Sequence, residues 1–468
     1  MSIYNSKFPD IKQIFDVSKE DKLYYGEIYT PFSLINNMLN LFDDDVFEDP
    51  NKKWLDIGAG LGYFSICLFF KLDKGLSKKI PNEVERKTHI IREMIYMVEI
   101  KDDNIDKLKK IFGEKSNIIH TDFINDNIYL VNLKENTFDY IIGNPPYNSN
   151  GIKKVPTNNT INKKNEGKTV WSYFVRKSLN LLVPDTGKLC IIIPSLWLKN
   201  DKEGMHKILT YYKIHKLHCL NNTQTNKIFN GNAQTPTCYF LLTKTQSDGL
   251  IGLFDINRND YISYNHITGN PIPVFGSCIV NKLQKWVKKV GNINVIKTNM
   301  PSVHSKFIEN PYSDNKSYNY INIKTCILDK LQPMLFLNYS NIPQAFYDVK
   351  KLVLAHKMYG FPYFDKDGKY GISNRDNYVI INKTDDEFKK LQLFLSSKLA
   401  LYLYETARYR MKYLEKYAFD FIPDITLLSD FPDSNDINDN TIAEYFELDK
   451  NDILHINKLH KKKYNMFL

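Results

Sequence analysis

Among the residues of this chain, Asn144-Pro145-Pro146-Tyr147 form the tetrapeptide with the most specific chemical potential. Two consecutive prolines fix φ and withdraw two backbone donors, so the turn presents carbonyl groups and the Asn144 amide as acceptors. A planar amino group in front of such a turn donates one proton to the Asn144 side-chain oxygen and one to the Pro145 carbonyl, while the Tyr147 ring stacks on it. In isolation the tetrapeptide reads more simply as an ordinary Pro-Pro turn. The elements that precede it in the chain shift the balance.

The first is Asp56-Ile57-Gly58-Ala59-Gly60-Leu61-Gly62, between a short apolar run and the apolar stretch Tyr63 to Leu72. Glycines there let the backbone turn sharply and approach a ligand at a helix N-terminus. The spacing is not the G-x-G-x-x-G of dinucleotide folds, because position 63 is Tyr. A tight strand-helix turn without a ligand is the alternative reading. Next comes Glu99, at the end of the following apolar run, where an acid can accept both hydroxyls of a ribose. Thr121-Asp122-Phe123 closes a third run; Asp122 could accept the exocyclic amine of an adenine ring and Phe123 could pack on its face.

These residues need a scaffold that brings run ends together. Trp54 to Ile57, Ile95 to Glu99, Asn117 to His120, Phe138 to Ile142 and Leu189 to Pro194 read as strands separated by helical stretches, the sequence form of a parallel sheet with crossover helices. In open α/β sheets ligands sit beyond the carboxyl ends of the strands, where all the candidate residues lie. Lys74 to His89 and Asn148 to Thr169 read as insertions or mobile loops, the first charged and carrying Pro81, the second rich in Asn, Lys, Thr and Gly. Beyond Lys244 the pattern loosens into short β-like runs rich in Tyr, Asn, Pro and Gly. An amphipathic helical stretch follows over about 385–417.

With 468 residues, 43% apolar and 25% charged, the chain is long enough for two or three packed domains and is not compositionally disordered. Lys and Arg total 63 against 53 Asp and Glu, a formal charge of +10, which suits an extended anionic partner such as nucleic acid. The six cysteines show no C-x-x-C spacing and read as buried thiols of a reducing compartment. Met1 to Asp10 lacks the form of a secretory signal, and no apolar run is long enough to span a bilayer. A cytoplasmic location is expected, or a nuclear one in a eukaryotic host. The cluster His215, His218 and Cys219 has no second ligand pair, so no metal site is expected.

Taken in order, these motifs resemble the S-adenosylmethionine-dependent N6-adenine DNA methyltransferases of the gamma group, with a TaqI-like C-terminal specificity domain. Gly26-Glu27-Ile28-Tyr29-Thr30-Pro31 is similar to their N-terminal cofactor-contacting motif. The resemblance implies that Tyr29, Thr30, Pro31, Asp56, Gly58, Gly60, Glu99, Asp122 and Phe123 bind S-adenosyl-L-methionine, and that Asn144, Pro145, Pro146 and Tyr147 are catalytic. The family's second base-facing aromatic falls in Lys227 to Gly231, where Phe229 is the candidate; a core phenylalanine is the competing reading. Trp171 to Leu182 and Gly187 to Leu198 resemble the helix and strand after the catalytic motif. Leu395-Ser396-Ser397-Lys398-Leu399 and Phe421-Ile422-Pro423 resemble segments of the specificity domain.

The implied fold is α/β: a Rossmann-like methyltransferase domain with a mixed, mostly parallel sheet over 1–247, then an α+β target recognition domain over 248–468. The implied activity is site-specific transfer of a methyl group to N6 of a flipped adenine in double-stranded DNA, as the modification component of a restriction-modification system or as an orphan methylase. A separate cognate restriction endonuclease is a partner in the first case; a fused nuclease, a membrane and a metal are not expected, and a monomer is. Protein glutamine-N5 and RNA methyltransferases also use N-P-P-Y, and are the alternative. Their chains usually lack a large domain after the catalytic one.

Overall fold

The computed structural model describes residues 3, 29–125, 134–148, 168–231, 233, 235–309, 317–329, 332–355, 362–375, 377–410 and 414–459, without the side chains of 328, 329, 332 and 333. The chain divides into two compact units, Met1–Phe254 with Asn265–Gly269, and Asp255–Tyr264 with Asn270–Leu468. Gly26 to Ile28, most of the stretch after Asn148 and the basic tail from His460 lie outside the described residues.

The first unit is built on strands β1 (Trp54–Asp56), β2 (Ile95–Glu99), β3 (Asn117–His120), β4 (Tyr140–Gly143), β5 (Lys188–Pro194), β6 (Tyr212–Leu220), β7 (Thr237–Gln246) and β8 (Leu250–Asp255), in spatial order β3-β2-β1-β4-β5-β7-β6-β8. The five strands from β3 to β5 are all parallel, and β7 runs antiparallel to both β5 and β6. This is the mixed, mostly parallel Rossmann-like sheet that the motif order implies. The central strands are buried along their length apart from Lys188 at the start of β5, as expected where helices cover both faces. Strand β8 pairs parallel with β6, which carries the first unit past residue 247 to Phe254.

Helix α1 (Phe32–Leu39) starts at Pro31, whose carbonyl accepts the Leu34 and Ile35 N–H groups. It packs on α2 (Tyr63–Gly75), the apolar stretch after the glycine loop, and Phe32 stacks on Tyr63 with centroids 4.8 Å apart. Helix α2 carries buried Phe64, Ser65, Ile66, Cys67, Leu68, Phe69 and Leu72, so it belongs to the core rather than to an amphipathic surface.

The charged stretch Lys74 to His89 is not loop throughout. It ends in helix α3 (Glu83–His89), whose first turn is capped by the Asn82 side chain accepting from the Glu85 N–H at 3.0 Å. Arg86 donates to Asp73 at 2.7 Å and to the Ile80 carbonyl at 2.9 Å, and Lys87 pairs with Glu83 at 2.6 Å. Paired charges and a cap therefore order a segment whose composition reads as solvated.

Helices α4 (Asp102–Phe112), α5 (Trp171–Leu181) and α6 (Met205–Tyr211) complete the crossovers, and α7 (Asn222–Ile228) links β6 to its antiparallel neighbour β7. His215 and His218 lie on β6. His215 Nε2 is 2.7 Å from the Thr243 hydroxyl, and the His218 ring is stacked between Tyr239 and Phe254. Among the described residues no group of three His, Cys, Asp or Glu side chains could hold a metal ion, and no helix is long and apolar enough to cross a membrane.

The second unit is α+β. After β9 (Asp260–Asn265) and α8 (Ser277–Val290), strands β10 (Ile296–Lys297), β11 (Phe307–Ile308), β12 (Tyr320–Asp329), β13 (Gln332–Ser340), β14 (Lys351–Ala355), β15 (Tyr363–Asp365), β16 (Gly371–Ile372) and β17 (Asn377–Ile380) form two four-stranded sheets. Their orders are β10-β17-β14-β15 and β11-β13-β12-β16, and Ile323, Val353, Ile372 and Val379 from both share one apolar cluster. The helical stretch over 385–417 is broken: α9 (Asp385–Leu395) and α10 (Lys398–Thr406) are separated at Ser396 and Ser397, the latter capping α10. Helices α11 (Asp439–Tyr445) and α12 (Lys450–Leu459) follow.

Candidate active site

Strand register brings the motifs together. β1 lies between β2 and β4, with Asp56 level with Met97 on one side and Ile142 on the other. The Ile57 N–H donates to the Ile142 carbonyl at 3.2 Å and the Ala59 N–H to the Val98 carbonyl at 2.8 Å, so the glycine loop leaves the sheet between the ends of β2 and β4. Glu99 and Asn144 stand at those two ends.

Asp56 is 1% exposed, and its Oδ2 accepts the Ser65 hydroxyl of α2 at 2.9 Å. Burial pushes its carboxyl up to about 7; the Ser65 and Gly58 hydrogen bonds oppose the shift and nearby Glu99 adds to it. The folded protein thus holds a proton between about pH 4 and pH 7 that the unfolded chain has released. We expect ligand-free stability to fall as pH rises through that window and then level off, and Asp56→Asn to flatten this slope. Melting temperatures of the two proteins at pH 5 and pH 8 check it, and equal slopes would refute the assignment.

The glycines of the loop differ in role. Gly62 takes φ +83°, and a Cβ there would come within 2.8 Å of Leu108 and 3.0 Å of Phe112 on α4, so it serves close packing. At Gly58 a Cβ would meet nothing within 4 Å, and the residue is exposed between buried neighbours. That bare backbone is an open cradle.

Glu99 is buried, and its carboxylate binds the loop directly. Oε2 accepts the Gly60 N–H at 2.7 Å, and Oε1 accepts the Ile100 and Lys101 N–H groups at 2.9 Å each. Asp122, half-buried after β3, accepts the Ile124 N–H at 2.9 Å and the Asn125 side-chain amide at 2.8 Å. Phe123 is buried and stacked on Phe174 of α5, centroids 5.2 Å apart, with Lys177 over its ring. Next to Glu99, Ile100 presents open apolar surface and is 56% exposed. Sequence reasoning passed over Ile100; the signal was an isoleucine between a strand-end acid and the polar start of a helix. From the N-terminal motif, the Tyr29 ring lies 5.5 Å from Tyr63, and its Cε1 is 3.8 Å from where a Cβ on Gly60 would sit.

At the end of β4, Gly143 has φ +151°, and a Cβ there would reach 2.9 Å from the Ile57 side chain. Only glycine lets the chain pass this close to β1, another residue the motif reading did not single out. Asn144 Nδ2 then donates to the Thr30 hydroxyl at 3.0 Å. Tyr147 is half-buried, yet its hydroxyl is fully buried near Cys238 with no hydrogen-bond partner among the described residues, and burial holds its pKa far above the ordinary phenol range. The ring is anchored tip-inward. Phe229 directly follows α7 and is 2% exposed.

Three carboxyl side chains line the cradle's edge: Asp56 and Glu99 end β1 and β2, and Asp122 follows β3, the three strands being adjacent and parallel. Its chemistry fits a ligand with a cationic group, hydroxyls and a flat apolar part.

Residues 52–229 match the Eco57I restriction-modification methylase family. An uncharacterized adenine-specific methylase of Mycoplasma pneumoniae is 37% identical over 81 residues, covering 17% of this chain and 19% of the relative. The chain thus spans about a fifth of that relative's length. The structure of the type IIL restriction-modification enzyme MmeI in complex with DNA aligns at a TM-score of 0.50 and 11% identity, over 96% of this chain and 75% of that one, a likeness of fold. The M protein of the type I restriction enzyme EcoKI aligns at a TM-score of 0.34 and 15% identity, over 47% and 44%. The part of the chain that holds the glycine loop, Glu99 and Asn144 to Tyr147 is the part that matches the Eco57I restriction-modification methylase family.

Proposed function

We propose that this chain is a site-specific DNA methyltransferase of the gamma group that transfers a methyl group from S-adenosyl-L-methionine to N6 of adenine. It acts as the modification component of a restriction-modification system or as an orphan methylase. The observation that carries the reading is the β1–β4 register, which sets the Asn144–Pro145 acceptor pair beside the glycine loop. A cofactor in the loop and an amine at the turn are then neighbours.

In this reading Asp56, Gly58, Gly60, Glu99, Asp122 and Ile100, with Tyr29, hold the cofactor; Glu99 takes its ribose and Ile100 lies against its base. When bound, S-adenosylmethionine supplies an electrophilic methyl on a sulfonium. Asn144 Oδ1 and the Pro145 carbonyl would accept hydrogen bonds from the two N–H groups of the target amine, which leaves its lone pair free to face the methyl. The protein's contribution is orientation and charge complementarity. Adenine in a duplex cannot reach such a site, so the target nucleotide is extruded, with Tyr147, and Phe229 after local opening, as stacking rings. Residues 248–468 select the sequence through base-edge and phosphate contacts.

Incubation with methyl-labelled cofactor and double-stranded DNA, then digestion to nucleosides, is expected to yield N6-methyldeoxyadenosine. Label only in N4-methyldeoxycytidine would overturn the base assignment; label only in RNA or in a protein glutamine would overturn the DNA reading. Binding of the full chain to duplex DNA should also fall steeply with added salt, since each neutralised phosphate releases counterions. Fluorescence anisotropy at 50 and 200 mM salt measures it, and a flat response would exclude a phosphate-tracking surface.

A further inference from the structure

We infer that Thr30 is a positioning residue for Asn144, and that the Tyr29-Thr30-Pro31 segment serves the reacting amine through that contact. This rests on the reading of Asn144 as the acceptor of the target amine. The terminal torsion of an asparagine is broad and two-fold, so a fixed backbone does not by itself decide which way its carboxamide faces. The two prolines that follow fix their own φ and confine Asn144 to extended conformations. The hydrogen bond from Nδ2 to the Thr30 hydroxyl at 3.0 Å holds the side chain and fixes which branch of the planar carboxamide faces Thr30, so that Oδ1, on the other branch, is directed away from it.

Thr30 suits this task because it is itself rigid. It is 2% exposed, its χ1 is restricted by β-branching, and the following Pro31 confines its backbone to extended conformations. Pro31 in turn starts α1, which packs on α2, so the hydroxyl is mounted on the same core that carries the glycine loop. The family resemblance assigns this threonine to the cofactor. The structure assigns its hydroxyl to the catalytic amide.

The test compares Thr30→Val, which keeps the shape and removes the hydroxyl, with Thr30→Ser, which restores it. Thr30→Val should lower the single-turnover rate of methyl transfer at saturating cofactor by about tenfold to a hundredfold, the effect of losing the hydrogen bond that orients the amide. Cofactor affinity by calorimetry should stay within about twofold, a precision well inside the tenfold set by 1.4 kcal/mol, and Thr30→Ser should recover most of the rate. A matching loss of cofactor affinity with an unchanged saturated rate would overturn the inference in favour of a cofactor contact, and no change in either would overturn it outright.

A second arm is independent of substrate. In asparagine-¹⁵N protein, the Asn144 side-chain amide signal, identified by its loss in Asn144→Ala, should shift and exchange faster in Thr30→Val. An unchanged signal would refute the contact, even if wild type proves inactive on DNA and the function reading itself falls.

Discussion

Asn144→Ala should abolish methyl transfer while leaving S-adenosylmethionine affinity nearly intact. The amide lies at the end of β4 and contacts Thr30, whereas the cradle at Gly58 and Glu99 is built on β1 and β2. Removing one pre-positioned hydrogen-bonding group from a reacting centre, as measured for oxyanion-hole donors, costs about a hundredfold to a thousandfold in turnover, about 2.7–4 kcal/mol, and a loss of that order is expected here. Folding should survive, because the side chain is half-buried and replaced by a smaller one at a turn whose backbone the prolines fix. Single-turnover methylation and calorimetry on the same preparation separate the two effects. A rate within tenfold of wild type, a barrier change below about 1.4 kcal/mol, would remove Asn144 from the chemistry.

Glu99→Ala should do the reverse and strike binding first. Its carboxylate accepts the Gly60, Ile100 and Lys101 N–H groups, so the substitution removes the proposed ribose acceptor and also the tie between the glycine loop and β2. Charge-assisted hydrogen bonds contribute about 1.5–3 kcal/mol each, so the loss of affinity should be at least tenfold. Glu99→Gln keeps one acceptor oxygen and should fall between. Calorimetric titration with S-adenosylmethionine decides it, and unchanged affinity in the alanine variant would place the ribose elsewhere.

The sequence made most of the α/β half legible because its signals are local. Apolar runs ending in Ile57, Glu99 and His120 mark strand ends whatever the rest of the chain does, and β2 and β3 form over the residues their patterns delimit. Where local signals misled, tertiary pairing was the cause. The stretch 74–89 carries charges that read as solvated, yet Arg86 is buried on Asp73 and α3 is ordered. The helical stretch over 385–417 looks continuous by periodicity, but Ser397 turns back on the Ala400 N–H and starts a new helix.

The amino-acid sequence by itself determined which residue types stand at which strand ends, and hence the order glycine loop, acid, acid, amide turn. Residue type and strand period are properties of neighbouring positions, so they need no fold to be read. Only the tertiary structure decided what each of those residues touches. That Thr30 meets Asn144, that Glu99 grips the Gly60 N–H, and that Gly143 must lack a side chain because Ile57 lies against it are consequences of strand register and helix packing between distant segments. Such contacts depend on which strands become neighbours. A pattern read along one chain carries no distance between residues 30 and 144; the folded sheet supplies it.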